Sequence, residues 1–69
     1  MEMTLQQIRE ALGLTRQYAA NMLGVSYSTL YFWERGRNYP PIDAVVSMSE
    51  LYSMSILEII SIILKKEPG

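Results

Sequence analysis

Two adjoining stretches of this chain are built to one plan. Thr15 opens a run that Gly24 closes, and Ser26 opens a second run that Gly36 closes. A Ser or Thr hydroxyl accepts one of the orphan amides in a helix's first turn. Glycine takes the left-handed conformation in which a helix ends or a chain turns. Only Val25 separates Gly24 from the next cap, so the spacing predicts two short helices joined by a tight turn. Ala19, Ala20 and Leu23 on the first helix, and Leu30 and Trp33 on the second, fall on inward positions. The small residues at 19 and 20 allow close approach of a neighbouring helix. Such a pair cannot bury its inner faces alone, so the rest of the chain must cover them.

The flanking sequence is helical as well. Thr4-Leu5-Gln6-Gln7 has the form of a capping box. Leu5, Ile8 and Leu12 follow at helical spacing, which predicts a first helix running to about Leu12 and stopped by Gly13. Asn38-Tyr39-Pro40-Pro41 reads as a loop, with Pro41 placed to start a fourth helix whose apolar face is Val45, Met48, Leu51 and Tyr52. Ser55-Ile56-Leu57-Glu58 is a second capping box and opens a fifth helix over about 56–66. Lys66-Glu67-Pro68-Gly69 is expected to fray. No strand pattern, repeat or linker interrupts the chain. The expectation is one all-α, five-helix domain over 1–69.

Composition closes several functional classes. The 69 residues include no Cys and no His. Disulfide frameworks, thiolate metal sites, nucleophile–His pairs and His acid–base chemistry are therefore excluded. No catalytic residue, metal, cofactor or small-molecule substrate is expected, and the chain is not read as an enzyme. No basic segment precedes an apolar run at the N-terminus. The apolar run 56–64 is shorter than the about 20 residues a membrane span needs. The expected setting is cytoplasmic, with no membrane partner. Formal net charge is only -1, but it is unevenly placed. Arg9, Arg16, Arg35 and Arg37 outweigh Glu10 and Glu34 to give residues 9–41 a net +2, while residues 42–69 carry -2. The bihelical half can face an anionic partner while the remainder stays solvated.

Several motifs stand in register with a known pattern. Leu14-Thr15, Ala20, Leu23-Gly24-Val25-Ser26 and Trp33-Glu34-Arg35-Gly36 resemble the Cro/C1-type (XRE-like) helix-turn-helix family of phage repressors and bacterial regulators. Pro41-Ile42-Asp43-Ala44-Val45 and the segment from Leu51 to Ile60 look like that family's last two helices, so the resemblance spans nearly the whole chain. It implies a lambda-repressor-like five-helix fold, with the helix-turn-helix at about 15–35. It also implies binding of double-stranded DNA, with the second helix of the motif in the major groove.

The resemblance assigns roles residue by residue. Tyr27, Ser28 and Phe32 stand where relatives read bases, and Tyr31 shares their outward face. Relatives often carry Gln, Arg, Asn or Lys there. Here the chemistry is limited to hydroxyls and to apolar contact with a thymine methyl. Arg16 replaces a common Gln at the start of the motif's first helix, where a phosphate would lie beside the helix amides. Arg35, Arg37, Asn38 and Tyr39 form the loop that runs along the DNA backbone in relatives. Arg9 and Glu34 match a largely buried structural ion pair and are not counted as DNA charge.

The fifth helix is apolar around most of its circumference. Ile59 and Ile60 match core positions, which leaves Leu57, Ile63 and Leu64 as candidates for a homodimer interface. The resulting reading is a Cro-like phage or prophage repressor that binds operator DNA as a homodimer. The rival reading is a protein-interaction module, antitoxin-like or a repressor's partner. It would use the aromatic face of the motif's second helix and bind DNA weakly.

Overall fold

Each helix start can be traced to a side chain. A computed structural model of the chain describes residues 3–65. Helix α1 (Leu5–Ala11) begins at Thr4, whose hydroxyl accepts from the Gln7 amide while the Gln7 side chain accepts from the Thr4 amide. Helix α2 (Arg16–Leu23) is capped by Thr15, and α3 (Tyr27–Glu34) by Ser26. Helix α5 (Ile56–Leu64) has a second reciprocal box, between Ser55 and Glu58. Helix α4 (Ile42–Tyr52) has no side-chain cap. Pro41 precedes it as the capping residue rather than serving as its first helical residue, because its ψ of 167° is still extended.

The all-α, five-helix expectation matches the described residues. Helix α2 packs on α3 and α4, α5 packs on α4, and α1 closes against α5. The core is Leu5 and Ile8 from α1, Ala19 and Ala20 from α2, Leu30 and Trp33 from α3, Ala44, Val45, Met48 and Tyr52 from α4, and Ile59 from α5. Ala19 and Ala20 are wholly buried, which is the close approach their small size permits. Leu30, Met48 and Ile59 are the largest fully enclosed side chains. Each contributes roughly 1.5–3 kcal/mol relative to an exposed position.

The turn inside the bihelical unit depends on Gly24. Its φ of 73° is left-handed, and a Cβ built there would meet nothing within 4 Å. The glycine is therefore needed for backbone conformation rather than for space. Ser53 plays the same part between α4 and α5, with a φ of 56°. A serine in this region carries a steric cost that glycine would not. The chain swings by 115° between these two helices there, and no single described helix is long and apolar enough to cross a membrane.

Two boundary expectations are corrected. Helix α1 stops at Ala11, so Leu12 becomes its C-cap and is half exposed instead of joining the core. Helix α5 stops at Leu64 with Lys65 as its cap, short of residue 66. The expected fraying of residues 66–69 lies outside the described residues.

Candidate nucleic-acid interface

The outer face of α3 rests on a buried ionic cluster. The Glu34 side chain is 0% exposed and that of Arg9 is 5% exposed. Arg9 Nε donates to Glu34 Oε2 at 2.7 Å and Arg9 Nη2 donates to Oε1 at 3.2 Å, a two-pronged pairing. Arg9 Nη1 also donates to the Leu14 carbonyl at 2.8 Å, which ties the α1–α2 connection to the end of α3. A planar guanidinium matches a carboxylate in this way far better than an ammonium does. Burial of both charges is tolerable because each nitrogen of the Arg9 guanidinium and both oxygens of the Glu34 carboxylate carry a hydrogen bond.

Arg16 requires a correction. The sequence places it outward, reaching for a phosphate. The structure turns it back: Nε donates to Glu34 Oε1 at 2.8 Å and Nη1 donates to the Tyr27 hydroxyl at 2.9 Å. Its side chain is only 16% exposed. The cause is the buried carboxylate, whose Oε1 retains acceptor capacity after Arg9 is seated and whose charge attracts a second cation. The hydrogen bond to Glu34 is also the main reason the Arg16 guanidinium holds its proton more tightly than usual; the bond to Tyr27 adds to it, against the loss of solvation. The cluster is thus two cations on one anion and keeps an uncompensated positive charge against the Tyr27 and Tyr31 side chains of α3.

Tyr27, Ser28, Tyr31 and Phe32 all lie exposed on α3, on the outward face the helical spacing predicts. The aromatic rings alternate with cations. The Arg16 guanidinium carbon stands 5.4 Å from the Tyr27 ring centre and 5.2 Å from that of Tyr31. Arg35 lies 5.7 Å from the Tyr31 ring and Arg37 lies 6.0 Å from the Phe32 ring. The Tyr31 and Phe32 rings meet at 5.7 Å with a 59° tilt. Neither Arg35 nor Arg37 is paired with a carboxylate among the described residues. Their charge is held against aromatic faces, a contact that leaves the guanidinium edges available to an anion. Asn38 and Tyr39 are exposed beside them, and Pro40 and Pro41 stiffen the loop that carries them.

The proposed dimer residues do not share one environment. Leu57 is 78% exposed and Leu64 is 62% exposed. Ile63 is only partly exposed and packs against the core. The reason is helical phase. Leu57, Ser61 and Leu64 fall on one stripe, whereas Ile63 lies a quarter turn from Leu64 on the flank of Ile59 and Ile62.

Two features escape the sequence reading. One is the second cation on Glu34, since Arg16 lies 18 positions away from it and nothing local signals the contact. The other is Tyr52, which lines a groove bounded by α1, the loop after α3, and α5. Its side chain is buried and its hydroxyl has no hydrogen-bond partner among the described residues. Burial is the main cause that raises this phenol to about 12; the nearby Glu34 charge adds to the rise and Arg9 opposes it.

Comparison with known proteins places this arrangement among relatives. A family model described as helix-turn-helix matches residues 5–59, from the start of α1 into the middle of α5. Over 57 residues the chain is 35% identical to the HTH-type transcriptional activator BcrR of Enterococcus faecalis, a match covering 83% of this chain and 28% of that protein. Over 41 residues it is 39% identical to Repressor protein C of Escherichia phage P2, covering 59% of this chain and 41% of that protein. The chain therefore spans well under half the length of these curated relatives. No solved structure matches it.

Proposed function

The chain belongs to the helix-turn-helix family, and from that premise we propose that it binds double-stranded DNA and regulates transcription, as a Cro-like repressor acting in two copies. Helix α3 enters the major groove. Tyr27, Ser28, Tyr31 and Phe32 face base edges, while Arg35 and Arg37, with Asn38 and Tyr39, follow the phosphates. The observation that carries this reading is the outward face of α3, where exposed aromatics alternate with the guanidinium groups of Arg35 and Arg37, which have no carboxylate partner among the described residues. Aromatic rings supply stacking and methyl contacts, and the cations supply the sequence-independent attraction.

Two copies are invoked because the exposed Leu57 and Leu64 form an apolar stripe on the last described helix. Covering each side chain contributes roughly 1.5–3 kcal/mol, against an association cost of about 4–15 kcal/mol. Pairing on this stripe alone is weak. DNA bearing two half-sites supplies the remainder.

The reading is tested by an electrophoretic shift assay with genomic or randomised duplexes at several salt concentrations. Arg35 and Arg37 from two copies, with partial help from Arg16, neutralise about 4–6 phosphates, so the log–log salt slope is expected near -4 to -5. A slope near zero, or no shift, overturns it. That outcome would favour the rival in which the aromatic face of α3 holds another protein. The rival's support is the small number of available cations in a chain of net charge -1.

A further inference from the structure

We infer that Arg16 fixes the hydrogen-bonding polarity of Tyr27, so that Tyr27 reads only acceptor groups of a base: purine N7, guanine O6 or thymine O4. The exocyclic amino groups of cytosine and adenine are rejected. This inference rests on the reading of α3 as the helix that faces the bases.

The direction of the bond between the two residues is set by chemistry. Arg16 Nη1 lies 2.9 Å from the Tyr27 hydroxyl oxygen. A guanidinium has five donors and no acceptor, so Arg16 donates and Tyr27 accepts. A phenolic oxygen has one good in-plane lone pair, because the other is conjugated with the ring. With that lone pair occupied, the O–H remains as the group offered outward, and it can only donate. An unrestrained tyrosine hydroxyl would rotate and could meet either a donor or an acceptor on the DNA.

Arg16 is itself held in place. Its Nε donates to Glu34 Oε1 at 2.8 Å. That carboxylate is wholly buried and clamped from the other side by Arg9. The guanidinium also lies close to the faces of Tyr27 and Tyr31, which stand one helical turn apart on α3. The chain of contacts Arg9–Glu34–Arg16–Tyr27 thus carries the rigidity of the core to an exposed hydroxyl. Tyr27 is the first residue of α3, directly after the Ser26 cap. It therefore lies at the end of the helix closest to base edges. Guanine suits a lone donor best, since its major-groove edge offers two adjacent acceptors and no donor, whereas cytosine offers only an amino donor.

The test uses the whole chain and a preferred duplex selected from a randomised library. Single bases in that duplex are replaced by analogues that delete one group. 7-Deazapurines remove N7, 2-aminopurine removes the guanine oxygen, and 5-methyl-2-pyrimidinone removes the thymine oxygen. Unsubstituted purine and 2-pyrimidinone remove the amino groups of adenine and cytosine. Each duplex is titrated with wild type, Tyr27→Phe and Arg16→Met. Deleting one acceptor per half-site should weaken the wild type about 3–10-fold, the scale of one neutral hydrogen bond. The same deletion should leave Tyr27→Phe unchanged, and no amino deletion should depend on Tyr27. In Arg16→Met the freed oxygen accepts as well as donates, so a duplex that presents an amino donor in place of that acceptor should bind within about 2-fold of the selected duplex, while the wild type keeps its preference on the scale of one such bond. Thermal melting checks that the variants fold, and if Arg16→Met does not, the Tyr27→Phe comparison decides alone. Dependence of an amino deletion on Tyr27, or the absence of any base position coupled to Tyr27, overturns the inference, as does full retention of the preference in folded Arg16→Met. A wild type with no sequence preference at all would overturn both this inference and the DNA-reading proposal, and is distinguishable from the other results.

Discussion

Replacing Glu34 by Ala isolates the ionic cluster as the support of the candidate interface. The substitution removes the acceptor for Arg9, whose side chain is 5% exposed, and for Arg16, whose side chain is 16% exposed. Removing one partner of a buried pair costs about 3–5 kcal/mol, because a charge is left desolvated without compensation. Most of that cost belongs to Arg9; Arg16, nearer the surface, can turn outward to water. Small domains carry roughly 0.05–0.15 kcal/mol of stability per residue. A chain of 69 residues thus has about 3–10 kcal/mol in total, and the loss is a large share of it. At about 4–8 °C per kcal/mol for a domain of this size, the melting temperature should fall by at least ~12 °C. Urea denaturation followed by tryptophan fluorescence measures the change directly, since Trp33 adjoins Glu34 in α3. Glu34→Gln, which keeps the shape and one acceptor oxygen, should fall between Ala and wild type. A Glu34→Ala protein within about 1 kcal/mol of wild type, well under the cost of a stranded buried charge, would refute the reasoning and show that water reaches both arginines.

Three further outcomes follow from the same structure. Arg37→Ala should leave the melting temperature nearly unchanged and weaken binding to all duplexes alike, with a shallower salt slope; a sequence-selective loss would contradict a phosphate role. Leu57→Lys with Leu64→Lys should keep the fold and abolish any self-association seen by sedimentation equilibrium, since both side chains are exposed; a double variant that associates as the wild type does would remove α5 from the interface. Tyr52→Phe should stabilise the protein by about 1 kcal/mol near neutral pH, because it removes an unpartnered buried hydroxyl. The folded-state phenol is raised to about 12, so the unfolded chain ionises first and wild-type stability should decline as pH rises from about 10 towards 12, a loss the Phe variant lacks. Equal alkaline profiles for the two proteins would show that Tyr52 is not desolvated.

The caps, the turn glycine and the helical phases are local properties, and the amino-acid sequence alone determined them. Thr4, Thr15, Ser26 and Ser55 each accept from an amide three residues on, so neighbouring residues suffice to define the start of a helix. Gly24 is left-handed for a reason visible in its own side chain, or lack of one. The outward set on α3 likewise follows from helical spacing once Leu30 and Trp33 are inside. The same locality holds at Gly13, whose left-handed turn stops α1 with Leu12 as its cap although apolar spacing continues to Leu12. It fails at Ile63, where an apolar helix offers several faces and only packing against its neighbours selects one. Tertiary structure also decided the fate of Arg16. Its exposure and its partner depend on a carboxylate 18 positions away that comes within reach only when α2 and α3 have packed together. Tyr52 is a similar case: its spacing marks it as inward, but whether its hydroxyl finds a partner depends on what α1 and α5 bring to that place, and they bring none. Long-range electrostatics and hydrogen-bond satisfaction depend on three-dimensional neighbours, and for these residues periodicity does not identify them.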